Sequence, residues 1–345
     1  SGSGVGMVTS AWPLAWSIAA ILLGGVMLLT AGVRLTRVAD TLADRTGLGE
    51  AIAGAVLLGA VTSLPGLVTT VVGAASGEAG FAVSNAVGGI AAQTTFLALA
   101  DLVYRRVNLE HAAASIPNLT QALILVSLIG LVLGGTGSPD ITLFAVHPVT
   151  IILVAVYAYG LVLTNRAHEH PMWQPRQTQD TVEDVAEPPS DRSNRQIWTE
   201  FVGLAGVVAV VGWIIGTAGL SIAERTGMSG SLVGATFTGV TTSLPELVTV
   251  ITAVRIGAVT LAVGDIIGGN TFDVLFIAAA DLTFRDGSIY HAADPQALFL
   301  LSVTVVLTAT LAAGMVGREE RHIGFEGVAI LVFYALGLAS LVAIG

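Results

Sequence analysis

The sequence predicts an all-α integral membrane protein with ten transmembrane helices in two inverted five-helix repeats, and three observations carry that reading. Apolar residues fill 54% of the 345 positions and charged residues only 11%, the balance of a chain that meets lipid rather than water. Windows of about 20 residues, long enough to cross a bilayer's hydrocarbon core as a helix, recur ten times. The chain also repeats itself: shifted by 180 positions, ADRTGLGEAIAGAVLLGAVTSLP (43–65) lies over AERTGMSGSLVGATFTGVTTSLP (223–245) without a gap.

The first expected span is 11–32. No basic region precedes it, so no cleavable signal is expected, and the leading SGSG reads as a cloning scar. Spans 49–75 and 80–103 carry the first polar motif pair (about 43–102), and 116–134 and 141–163 complete the first unit, residues 1–163. Residues 164–197 hold QPRQTQDTVEDVAEPPSDRSNR, which is too polar and proline-bearing to bury a core; they read as a disordered cytoplasmic linker rather than a calcium-sensing domain. The second unit, 198–345, repeats the plan with spans 198–220, 229–254, 258–283, 295–316 and 323–344, its motif pair at about 223–282. Because five is odd, the second unit enters the membrane upside down. With the N-terminus outside, twelve arginines fall in inner loops and only Arg225 and Arg285 in outer ones, as the positive-inside rule requires. Both termini are therefore expected on the extracytoplasmic side of the cell membrane.

All fourteen basic residues are arginine. Without lysine there is no Walker-type phosphate loop, so no nucleotide is expected as partner or energy source. The net charge of −10 fits a salt-adapted prokaryotic source, although six acids of the 164–197 linker supply much of the imbalance. There is no cysteine, which excludes disulfides and thiolate metal sites.

The chemistry concentrates where the repeat is polar. TSLPGLVTT (62–70) recurs as TSLPELVTV (242–250). A proline inside a helix cannot donate to the carbonyl four residues back, and in hydrocarbon an orphaned carbonyl survives only beside protein, water or an ion. Thr62, Ser63, Thr242 and Ser243 add hydroxyl oxygens to the same turns, the ligand type hard cations prefer. A simple proline kink with hydroxyls bonded back to the helix is the plainer explanation for one copy, and a poor one for two inverted copies of which one carries an intramembrane Glu246. The following helix of each unit has SNAVGGIAAQ (84–93) or GDIIGGNTFD (264–273). Its glycine pairs suit close helix packing, but intramembrane carboxylates mark functional sites by default. Asp273 shares a helix face with Gly269 and Asn270 and is expected to meet Glu246 near the midplane, with Asp265 off that face.

At these residues the chain resembles the sodium/calcium exchanger family within the wider cation/calcium antiporter superfamily, whose signature pairs a G-x-x-T-S-x-P-E helix with a G-[N/D]-x-[I/V]-G-[S/G]-N-x-x-[D/N] helix. The second copy fits closely and the first partially. The resemblance implies alternating-access antiport of Na+, and in some branches H+ or K+, against Ca2+, with the first and sixth helices sliding as a gate. Transferred residue by residue, it makes Glu246 and Asp273 calcium-ligating carboxylates, Thr62, Ser63, Thr242 and Ser243 hydroxyl ligands, Gly59 and Gly239 carbonyl donors to sodium, and Gln93 the substitute for an acidic or amide ligand. Gly89 and Gly269 stand where many members have serine, and Ile90 where the first copy usually has asparagine. Gly66 occupies the place of the first copy's glutamate, which predicts altered calcium selectivity or stoichiometry; protons join the candidates because burial penalises a charged carboxylate.

The expected partners are thus the lipid bilayer and inorganic cations, Ca2+ and Na+ with H+ as a further option, bound by a monomer. No covalent cofactor is expected. No serine-protease, zincin or nucleotide motif and no basic aromatic patch for nucleic acid is present, so neither an enzyme nor a nucleic-acid binder is expected. A cation/proton antiporter for a different ion is one competing reading and a passive cation channel the other, since broken helices with carboxylates suit channels as well. His111 and His291 are repeat partners read as loop residues, Asp101 and Asp281 as helix-end acids at the water boundary, and His168 with His170 as a weak metal pair.

Overall fold

A computed structural model describes residues 11–46, 60–104, 114–169, 192–256, 259–316 and 324–344. Among them the chain is helical throughout apart from turns and one isolated bridge, Leu143 to Val146. The first half contains α1 (Leu14–Met27), a π-helical turn (Leu28–Gly32), α2 (Val33–Thr46), α3 (Leu64–Ala75), α4 (Ala79–Tyr104), α5 (Ile116–Thr136) and α6 (Pro148–Glu169). The second half contains α7 (Asn194–Thr226), α8 (Gly230–Val233), a second π-helical turn (Gly234–Thr238), α9 (Gly239–Thr242), α10 (Leu244–Ile256), α11 (Val259–Asp273), α12 (Leu275–Thr283), α13 (Ile289–Ala292), α14 (Pro295–Val316) and α15 (Phe325–Ile344). Among the described residues eight helical stretches are long and apolar enough to cross a membrane, or nine if the bent pair 230–242 and 244–255 counts as one span.

Burial sorts these helices into a centre and a rim. In the α4 span 94% of the membrane window is buried, against 22% for α6 and for α15, so α4 is the central post and the outer helices face lipid. The largest apolar core wraps α4, with Val83, Val87 and Ile90 packed among Leu125, Leu128 and Ile129 of α5 and Phe276 and Ile277 of α12. Many hydroxyls in the spans are satisfied locally: Thr304 and Thr308 of α14 donate to the carbonyls four residues back, at 2.8 and 2.9 Å.

The two halves break their helices at the same place. Ser63 has φ −82° and ψ −3°, and Ser243 has φ −93° and ψ 5°, both off helical geometry at ψ. Pro65 and Pro245 follow as the second residues of α3 and α10, where the missing N–H costs no internal bond. Each proline thus starts a new helix rather than bending an old one, and in the second half the two pieces meet at 47°.

The halves are also laced together reciprocally. A Cβ on Gly32 would lie 2.8 Å from Pro245 Cγ, and a Cβ on Gly212 would lie 2.6 Å from the Pro65 carbonyl oxygen, so glycine admits the proline ring at one position and the backbone at the other. Gly32 and Gly212 are repeat partners, as are Pro65 and Pro245. Contact of each glycine with the other half's proline is what a two-fold relation between the halves demands. Thr69 Oγ1 adds a 2.8 Å bond to the Gly212 carbonyl.

Several sequence expectations shift. The first span does not end at 32 but continues through its π-helical turn into α2. The fifth does not begin at 141: α6 starts at Pro148, because His147 accepts from Val149 N–H through Nδ1 (3.2 Å) and from Thr150 N–H through its carbonyl (2.9 Å), and Phe144 and Ala145 turn the chain with φ of 54° and 62°. The eighth span holds as one membrane-length stretch, Ala262–Thr283, with a single turn residue at Val274. The expected linker is helical at both ends, since α6 runs to Glu169 and a Ser193–Gln196 capping box starts α7 at Asn194. Asp101 and Asp281 are not at a water boundary; both are buried. Asp281 accepts from His147 N–H (2.8 Å), Thr150 Oγ1 (2.7 Å) and Ile289 N–H (3.2 Å), which ties the starts of α6 and α13 to α12. His291 Nε2 lies 2.7 Å from the Ser138 carbonyl oxygen in the same corner. His111, His170 and the His168 side chain lie outside the described residues.

Candidate ion-binding site

The two breaks face each other across α4, and a small cavity opens between them. Ser63, Gln93, Thr242, Ser243, Glu246 and Asp273 line it together with Gly66, Asn85, Ala86, Gly89 and Phe276. There is room for about one water-sized particle. Six of the nine residues proposed from sequence are therefore brought together. Of the other three, Thr62 is buried on the turn before the break but does not line the cavity. Gly239 sits beside it, with its carbonyl accepting from Thr242 Oγ1 at 3.3 Å. Gly59 lies outside the described residues.

Gln93 and Asp273 are repeat partners, and they touch: Gln93 Nε2 donates to Asp273 Oδ2 at 2.8 Å and to Ser243 Oγ at 3.3 Å. Residues 180 apart can meet directly only where the two-fold axis between the halves passes, so the axis runs through this contact. Both carboxylate oxygens of Glu246, Asp273 Oδ1, Ser63 Oγ and Gln93 Oε1 are buried without a hydrogen-bond partner. Five such atoms in one place are far from the ordinary condition of buried polar groups, nearly all of which are bonded. No arginine or histidine lines the cavity, and among the described residues no group of three His, Cys, Asp or Glu forms. Two buried carboxylates without a cationic side chain cost several kcal/mol each if charged, unless a cation or protons compensate them. An oxygen-only lining of this kind suits a hard cation.

Asn85 is the residue sequence reasoning passed over. Its Nδ2 donates to the Gly66 carbonyl (3.1 Å) and Thr70 Oγ1 (2.9 Å), while its Oδ1 accepts from Thr238 Oγ1 (2.6 Å), so one amide bolts the first half's break to the second half's π-helical turn. Its position opposite Asp265 in the repeat was a usable signal. Asp265 itself is half-buried and off the cavity lining, as expected, and Asn270 turns away to donate to Thr94 Oγ1 at 3.1 Å.

Buried helices of membrane length, breaks matched across a two-fold and an acidic oxygen cavity at the centre define a multi-pass membrane protein of the inverted-repeat ion-transporter class. The sodium/calcium exchanger protein family matches residues 16–165 and 196–343, and the chain belongs to that family. It is 26% identical over 317 residues to CaxA of Alkalimonas amylolytica, a match spanning 91% of this chain and 95% of that protein. The fold is similar to that of the H+/Ca2+ exchanger CAX, with TM-score 0.68 and 14% identity over 95% of this chain and 85% of that one. It is likewise similar to the sodium-calcium exchanger NCX_Mj, with TM-score 0.60 and 17% identity over 95% and 99% of the two chains.

Proposed function

We propose that the chain is a secondary active cation antiporter that exchanges Na+ or H+ for Ca2+ at the cavity between Ser63, Glu246 and Asp273. The observation that carries this reading is the cluster of five unpartnered buried oxygens, two carboxylates among their owners, with no cationic side chain beside them. Glu246, Asp273, Ser63, Thr242, Ser243 and Gln93 are the ligands, with the Thr62 hydroxyl and the Gly59 and Gly239 carbonyls as the further oxygens the family resemblance implies. Two carboxylates are neutralised by one Ca2+, by two protons, or by one Na+ and one proton, which makes exchange of these species on one site the economical cycle. Calcium prefers six to eight oxygens, so Gly66, with no carboxylate to offer, lowers calcium affinity or alters the stoichiometry.

The two glycine–proline seams support alternating access: the first span, through Gly32, slides on Pro245 and α7 on Pro65, each opening one side of the cavity. The units 1–163 and 198–345 are the two halves of the inverted repeat, joined by a cytoplasmic linker, and both termini face outward. Reconstituted vesicles loaded with Na+ and assayed for 45Ca2+ uptake test the reading. Uptake driven by a Na+ or a pH gradient is expected; no uptake with either would overturn calcium exchange, and uptake indifferent to every counter-gradient would identify a channel instead.

A further inference from the structure

The internal repeat places Gly66 opposite Glu246, so a side chain at position 66 would be the first half's counterpart of the only glutamate in the cavity. The space for it is tight. A Cβ on Gly66 would lie 3.0 Å from Phe276 Cε2 and 3.7 Å from its Cζ, with Thr242 Oγ1 next at 3.6 Å. Phe276 is 3% exposed and lines the cavity, its ring edge set against Phe272 at a centroid distance of 6.2 Å. Phe96, its repeat partner, does not line the cavity. Phe96 lies within the unbroken α4, whereas Phe276 follows a single turn residue, Val274, between α11 and α12.

We infer that Phe276 is a specificity-determining residue of this site: its ring fills the volume that a side chain at position 66 would use, so Gly66 and Phe276 are a matched pair that hold the cavity to two carboxylates. The pair rests on the antiporter reading of the cavity, and its chemistry is general. An aromatic edge offers a cation no lone pair and excludes the water that would otherwise replace the missing oxygens. A divalent cation therefore meets fewer oxygens on the Gly66 side than on the Glu246 side. Restoring a carboxylate at 66 strengthens divalent binding only if the ring is withdrawn at the same time.

The test is equilibrium 45Ca2+ binding to purified full-length protein in four forms: unmodified, Gly66→Glu, Phe276→Ala and the double variant, with Gly66→Glu/Phe276→Leu added in case the alanine form does not fold. Neither single variant is expected to gain more than about twofold in calcium affinity. The double variants are expected to bind tenfold or more tightly than either parent. A tenfold gain from Gly66→Glu with Phe276 in place would overturn the pairing, as would a monodisperse double variant binding like the unmodified protein. Failure of the antiporter reading shows elsewhere, as absence of 45Ca2+ flux in unmodified vesicles, and leaves the four-way binding comparison intact.

Discussion

The two broken helices share a backbone and differ in chemistry. Ser63 and Ser243 leave the helix with φ and ψ within 11° and 8° of each other, and both breaks are followed by a proline that restarts the helix. Yet Gly66 faces Glu246 in the repeat, and Gln93 faces Asp273. The difference teaches that the break and the charge are separable. Proline and serine dictate where the helix opens through local sterics and missing donors, which act wherever the sequence places them. Charge in hydrocarbon is costly for each group, so a carboxylate is retained where a cation or a proton can compensate it. In this chain the first half supplies shape and neutral donors, and the second half supplies the anions.

The comparison breaks most sharply at the acid. Glu246→Gln keeps shape and removes one of two charges, making the second half resemble the first. Calcium binding is expected to fall by about two orders of magnitude, the scale of roughly 3 kcal/mol for stripping one partner from a buried ion pair. Equilibrium 45Ca2+ binding checks it, and near-normal affinity in a folded variant would remove Glu246 from the ligand set. Asp273→Asn should cost similarly, since the Asn carbonyl oxygen can still accept from Gln93 Nε2 while the charge is lost.

Much of this was legible in the sequence, for identifiable reasons. Membrane spans, the repeat and the prolines are local or periodic signals, and a carboxylate in an apolar run is conspicuous, so Glu246, Asp273, Ser63 and Ser243 could be found by reading alone. Gln93 was legible only through the repeat. What could not be read depends on where helices touch. Phe276 looks like any core aromatic, and its place beside Gly66 depends on how α12 packs against α3. Asn85 sits in a small-residue stretch that also suits plain packing. Asp281, at the end of an apolar span, reads as a water-facing acid, because its three donors come from His147, Thr150 and Ile289, and two of these lie more than 130 positions away. The fifth span's late start follows from a cap on His147, which hydropathy does not register.

A second, smaller asymmetry lies in the seams. Gly212 meets a backbone carbonyl, that of Pro65, whereas Gly32 meets the Pro245 ring. Backbone cannot step aside without moving a whole helix, while a ring edge on a helix start can give by tenths of an ångström. Gly212→Ala should therefore slow gradient-driven 45Ca2+ flux about tenfold with equilibrium binding retained, and Gly32→Ala by only about threefold, differences of roughly 1.4 and 0.6 kcal/mol in the barrier. Equal effects would show that the seams are mechanically equivalent. Loss of binding alongside flux would place them in the site rather than in its gating.

The mildest contrast is between the two serines at the breaks. Ser243 Oγ already accepts from Gln93 Nε2 at 3.3 Å, whereas Ser63 Oγ, beside Asp273, has no hydrogen-bond partner of normal geometry. An oxygen without a competing donor has both lone pairs to offer a cation, so Ser63→Ala should weaken calcium binding more than Ser243→Ala. A single neutral ligand contributes about 1 kcal/mol, so losses of roughly fivefold and twofold are expected. The reverse order, read from the same binding isotherms, would mean that the Gln93 amide swings away from Ser243 when the ion enters. In that case the first half's neutral donor, and not its hydroxyl, is what it contributes to the site.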